Sequence, residues 1–138
     1  MALRLGLEEI GPDVLLIRPY GAIDLASISE WEDLVHRVIQ QRRSAVIVDV
    51  GLAGYISARG LEMLLALAAN QSLLNGCLAV AGAHGGIRRA AKLVGLWDMA
   101  MEAGSVHGAL QKIEDFRAGG SQQEEIGNEP RRMMQGVG

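Results

Sequence analysis

Leu3, Leu5 and Leu7 alternate with Arg4, Gly6 and Glu8, the period of a strand with one face turned to solvent. Gly11-Pro12-Asp13 then turns the chain, and Val14 to Ile17 is apolar without interruption, so the opening reads as a β-hairpin. Beyond Gly21 the period lengthens. Ser27-Ile-Ser-Glu30 has the form of a capping box, in which the Ser27 hydroxyl takes one orphan N–H and Glu30 reaches back to the cap. Ile28, Trp31, Leu34, Val35, Val38 and Ile39 follow at helical spacing, and Arg42-Arg43 stand where the macrodipole favours cations.

Ala45 to Val48 is apolar without alternation and closes on Asp49, the pattern of a parallel strand buried on both faces. Cys77 to Ala81 repeats it, followed by the loop Gly82 to Gly86 and a helix from Ile87 to about Val94. Two strand, loop, helix units therefore follow one another. Right-handed crossovers put the loops at 50–59 and 82–86 on one edge of the sheet, the edge that carries function in open α/β sheets. Met99 to Glu102 suits a short edge strand. Ser105 caps a last helix whose apolar side is Val106, Ala109, Leu110, Ile113 and Phe116. The pattern predicts a domain over 1–117 and, where Gly, Gln, Glu and Pro dominate, a flexible tail over 118–138.

Gly54-Tyr-Ile-Ser-Ala-Arg-Gly-Leu-Glu-Met-Leu-Leu-Ala-Leu-Ala-Ala69 begins as a polar loop and becomes a helix with almost no polar face. Leu61, Leu64, Leu65 and Ala68 supply the stripe that lies on a sheet, yet the opposite side holds Met63, Ala66, Leu67 and Leu74, with Glu62 the only formal charge between Gly60 and Ile87. Two readings account for this. Neighbours in the same domain cover the second face, or that face stays partly open as a docking surface. The position on the functional edge favours docking, with Met63, Ala66 and Leu67 partly exposed and Leu67→Glu abolishing partner binding without unfolding.

The 138 residues suffice for one domain with a real core. Apolar residues make up 49% and aromatics 4%, so aliphatic side chains build that core. A net charge of -3 with scattered basic residues argues against nucleic acid. The lone Cys77 forms no internal disulfide, and with three spaced histidines it makes no zinc pattern. The start of the chain lacks the apolar run of a signal peptide, and no segment reaches membrane-spanning length. A cytoplasmic protein without membrane insertion is expected, and no cofactor or metal is indicated.

The run Gly21-Ala-Ile-Asp24 before a capped helix, the strand ending in Asp49 and Tyr55-Ile-Ser-Ala-Arg-Gly-Leu61 resemble the STAS domain of bacterial anti-sigma-factor antagonists. The likeness runs from about Leu3 to Phe116 and takes in Arg88-Arg89 and Leu93-Val-Gly-Leu96. It implies a mixed sheet of four or five strands flanked by about four helices, and no catalysis. Such a domain binds a serine-kinase anti-sigma factor and frees a sigma factor for transcription. The kinase switches it off by phosphorylating a serine at the start of the second helix. Here Ser57 stands where the family has Asp, Ala58 where it has the acceptor, and Arg59 where it has a second Ser, while Gly60 and Leu61 match. Ala58 has no hydroxyl, so the usual off switch is absent.

The resemblance thus implies a partner surface over Ser57, Ala58, Arg59, Gly60, Glu62, Met63, Ala66 and Leu67. Ser57 reads as the helix N-cap, with the alternative of a substitute acceptor. Arg59 opposes the macrodipole and either meets an acidic partner or an anion or is solvated. Asp24 and Asp49, at element ends, brace loops. A rival reading is the STAS subunit supporting the ATPase of a bacterial lipid-transport ABC system, which would use the same helix face. A hydrolase is disfavoured because Tyr55 and Arg59 replace both glycines of G-x-S-x-G. The glycine-rich loop around His84 lacks P-loop spacing and its lysine.

Overall fold

The computed structural model describes residues 2–126. Strands β1 (Arg4–Glu9) and β2 (Val14–Ile23) form the antiparallel hairpin, with Leu7 opposite Ile17. Helix α1 (Ile28–Gln41) crosses to β3 (Ala45–Asp49), which runs parallel to β2. Then come β4 (Ala53–Ile56), α2 (Ala58–Leu73), β5 (Cys77–Ala81) and α3 (Gly85–Leu93). A 3-10 turn over Leu96–Asp98 leads to β6 (Met101–Ala103), and α4 (Val106–Ile126) is the last described element. The main path is β1-β2-β3-β5-β6, with β4 paired to β2. Of the expected tail, the part to Ile126 continues α4 and the rest lies outside the described residues.

The expected mixed sheet with four helices is present, and its additional strand is β4. That strand exists because β2 outruns β3: Val14 to Ile17 pair with β3, and after a shift at Gly21, where φ is 100°, Gly21 to Ile23 pair with β4. Pro19 falls between those two ladders, where no parallel neighbour needs its missing N–H. β2 thus runs past the apolar stretch Val14 to Ile17, through the polar interruption Arg18-Pro19-Tyr20.

Both faces of the sheet are covered. Val46, Val48, Leu78 and Val80 join α1, α2 and α3 in the larger core. Ala45, Ile47, Cys77, Ala79 and Ala81 meet Ala109 and Ile113 of α4 in the smaller one. This double burial is why β3 and β5 read as unbroken apolar runs.

Two expectations are corrected. Ser27 precedes α1 but makes no side-chain cap; its hydroxyl donates to Ala22 O (2.8 Å) and accepts from Asp24 N–H (3.0 Å), so the capping box is not formed. The second concerns α2. Met63 is 3% exposed and Leu67 0%, in the same core as Trp31, Leu34, Val35 and Val38. Helix α1 packs along α2 instead of lying only on the sheet, so the second apolar face is covered from within the domain. Ala66 is exposed.

The far end of α2 is fixed equally closely. Buried Gln71 donates through Nε2 to Arg43 O (2.8 Å) and Cys77 O (3.3 Å). A Cβ at Gly76 would stand 2.2 Å from Ser44 O, so only glycine lets the chain pass there.

Leu67→Glu is therefore expected to unfold the domain, costing more than about 4 kcal/mol for an unpaired carboxylate placed in a filled core. Urea denaturation followed by circular dichroism measures it, and a soluble variant of unchanged midpoint contradicts the burial.

Candidate functional site

The loops that follow β3 and β5 meet at one edge of the sheet, as the crossover rule predicts. Val50 N–H donates to Ala81 O (2.9 Å). Gly82, at φ 76°, comes so close that a Cβ there would lie 3.0 Å from Gly51 Cα. Asp49 braces this junction, accepting from Gly51 N–H at Oδ1 (3.0 Å) and from Arg18 Nε at Oδ2 (3.3 Å). Asp24 does the same one loop away, accepting from Ala26 N–H at Oδ1 (3.1 Å).

The start of α2 is held from three sides. Ser57 N–H donates to Ile23 O (2.8 Å), and the Ser57 hydroxyl accepts from Gly60 N–H (3.1 Å), which makes Ser57 the side-chain N-cap. A Cβ on Gly60 would meet Ile56 Cγ2 at 2.8 Å and Ile23 Cγ2 at 3.0 Å. The Trp31 indole N–H donates to Gly60 O (3.1 Å). Gly60 is thus a packing position, buried beneath the surface.

Arg59 is exposed and doubly paired, to Glu32 of α1 and to Glu62 Oε1 at 3.1 Å. Its guanidinium is pushed above the ordinary value, chiefly by the hydrogen bond to Glu32 and next by that to Glu62. The pair crosses from α2 to α1, offsetting a cation that opposes the macrodipole. Exposed ion pairs of this kind contribute little to stability, because water and salt screen them.

Ala58 is exposed in the first turn of α2 and lines a cleft of about 410 Å³ between that turn and α3. Tyr55 and Leu61 form one wall; Ile87, Ala90, Leu93 and Val94 form the other, with His84 at the rim. Tyr55 is 54% and Leu93 87% exposed. Open apolar surface lies here, whereas of Met63, Ala66 and Leu67 only Ala66 is exposed. Leu93 could have been found from the sequence: Ile87 and Ala91 mark the buried stripe of α3, and Leu93 falls off it. Tyr55 carried no such signal, because a four-residue strand has little period to read.

The expected partner residues divide accordingly. Ala58, Arg59, Glu62 and Ala66 are exposed, Ser57 is half-buried, and Gly60, Met63 and Leu67 are buried. Among the described residues no group of three or more His, Cys, Asp or Glu side chains is placed to hold a metal ion. Chemically, the edge offers an apolar cleft, a capped helix start without a hydroxyl at Ala58, and a neutralised cation beside it.

The model of the STAS domain matches residues 8–109. Among solved structures, an anti-sigma-factor antagonist from Mycobacterium paratuberculosis is 19% identical, with TM-score 0.74 over 82% of this chain and 95% of that one. The Bacillus cell-fate determinant SpoIIAA in its phosphorylated form is 16% identical, with TM-score 0.64 over 80% and 99%. A sulfate transporter family protein from Wolinella succinogenes is 13% identical, with TM-score 0.65 over 80% and 93%. At such identities the likeness is one of fold. No curated protein sequence matches significantly.

Ser57→Ala is expected to destabilise the domain by about 1 kcal/mol through loss of the cap, while Ser57→Asp leaves it within about 0.5 kcal/mol. Paired urea titrations check this, and equal midpoints for Ser57→Ala and wild type would contradict the capping role.

Proposed function

The chain belongs to the STAS domain family, and from that premise we propose that it is a regulatory protein-binding module, without catalysis of its own, that engages a serine-kinase anti-sigma factor. On this reading it works in a bacterial cytoplasm and influences transcription by freeing a sigma factor. The supporting observation is the open apolar cleft at the first turn of α2, with Ala58 on its wall. A phosphate at that position would bring nearly two negative charges to a surface that binding must dry. With Ala58 the surface stays available at all times, so the protein acts as an antagonist without the family's phosphorylation switch. Ser57 is a poor substitute acceptor because its hydroxyl caps α2 and is half-buried.

Contact is assigned to Tyr55, Ala58, Leu93 and Val94, with Arg59, Glu62 and Ala66 at the margin. Met63 and Leu67 act indirectly, by fixing α2 against α1.

Leu93→Glu is expected to abolish binding while leaving the fold intact, since its side chain is almost wholly in solvent. Affinity capture from lysate of the native bacterium, wild type beside Leu93→Glu, reads this out by mass spectrometry. A serine-kinase anti-sigma factor retained by wild type and lost by the variant supports the reading. An ABC ATPase retained in its place makes the protein a transport accessory.

The double change Ser57→Asp with Ala58→Ser keeps an N-cap and restores a hydroxyl. Incubated with a family kinase and ATP, it is expected to take up phosphate where wild type does not. Equal labelling of both proteins would overturn the claim that the acceptor is missing.

A further inference from the structure

The two edges of the sheet are built differently. β1 carries Arg4, Glu8 and Glu9 and ties its charges down, Glu8 to Arg18 and Glu9 to Arg43. Charge on an edge strand discourages pairing with another chain. β6 has only Glu102, and that carboxylate is taken by Arg88 of α3, whose Nη2 donates to Oε1 at 3.3 Å. Among the described residues no strand pairs with the outer side of β6.

A groove lies on each side of this edge. Toward α3, one of about 610 Å³ is lined by Arg88, Arg89, Lys92, Trp97, Asp98 and Glu102. The Arg88–Glu102 pair leaves Arg89 and Lys92 against Asp98, a positive excess, and no ion pair involves Arg89 or Lys92 among the described residues. Toward α4, one of about 770 Å³ shares Trp97 and Glu102 with the first and adds Ala100, Met101, Phe116 and the opposite charges Lys112 and Asp115. Its apolar rim is open, with Phe116 39% and nearby Met99 46% exposed.

β6 already alternates between these sides. Ala103 belongs to the core under α4 and half-buried Met101 packs against it, while Glu102 reaches Arg88 of α3. A strand added alongside would alternate in the same way, successive side chains entering opposite grooves.

We propose that the β6 edge is a strand-addition site for an extended segment of a partner protein whose side chains alternate acidic and apolar, the acidic ones meeting Arg89 and Lys92 and the apolar ones meeting Met101 and Phe116. A second copy of this chain fits less well. Antiparallel pairing of β6 with itself would set Arg89 and Lys92 of one copy toward those of the other, and like charges facing across a pair destabilise it. The site lies apart from the cleft beside Ala58 and does not depend on the function proposed for that cleft.

The test is an NMR titration of the full ¹⁵N-labelled chain with three blocked heptapeptides: alternating valine and glutamate, alternating valine and lysine, and the first with two central prolines. The valine–glutamate peptide is expected to shift the amides of Met101 to Gly104 and slow their hydrogen exchange. Arg89→Glu with Lys92→Glu is expected to weaken it about tenfold, and the proline peptide to be silent because it cannot complete a ladder. The proposal is overturned if the valine–lysine peptide binds as well, if the proline peptide binds equally, or if no shift reaches β6 at millimolar peptide. Sedimentation of the free chain as a β6-paired dimer, lost on Glu102→Pro, would overturn it in favour of self-association.

Discussion

The approach of α2 to the sheet at Gly60 is the constraint on which the functional edge depends. Ile23 of β2 and Ile56 of β4 occupy the space a Cβ would need, and the Trp31 indole takes the Gly60 carbonyl from the side of α1. One missing methyl therefore lets three elements converge on a single residue. A side chain there would force branched isoleucines off their rotamers, at about 1–3 kcal/mol for an overpacked core. Because Ser57 caps the same turn through Gly60 N–H, the position of Ala58 follows from that contact rather than from the loop before it.

The apolar character of α2 follows from the same geometry. A helix pressed this closely to a sheet leaves its flank for α1 to cover, and Met63 and Leu67 fill that seam with Leu34, Val35 and Val38. Two dry faces leave little room for charge, so Glu62 and Arg59 stand at the exposed margin and close on each other and on Glu32. The accessible apolar surface shifts to the end of the helix, where β4 and α3 form the cleft.

Much of the fold was legible because it obeys short-range rules. The buried parallel pair β3 and β5, the hairpin and the placement of both loops at one edge all come from apolar runs, turn residues and crossover handedness. Ser57 as a cap was legible for the same reason. What escaped reading depends on tertiary geometry. β4 is a strand only because β2 continues past β3, and Ser27 spends its hydroxyl on Ala22 O because the chain bends there. Exposure of Met63 and Leu67 could not be judged from a helical wheel, which shows that a second face is apolar and not what covers it.

On the proposed reading, the departures at Ser57, Ala58 and Arg59 form a consistent set. A phosphorylatable start to α2 would gain from an uncompensated helix dipole, which favours the added negative charge. Arg59 instead stands at that end with its charge already committed to Glu32 and Glu62. The guanidinium beside Ala58 is thus engaged by two carboxylates rather than free to meet an anion. The missing hydroxyl alone removes the acceptor, and on this reading the apolar cleft is the surface through which the domain is recognised.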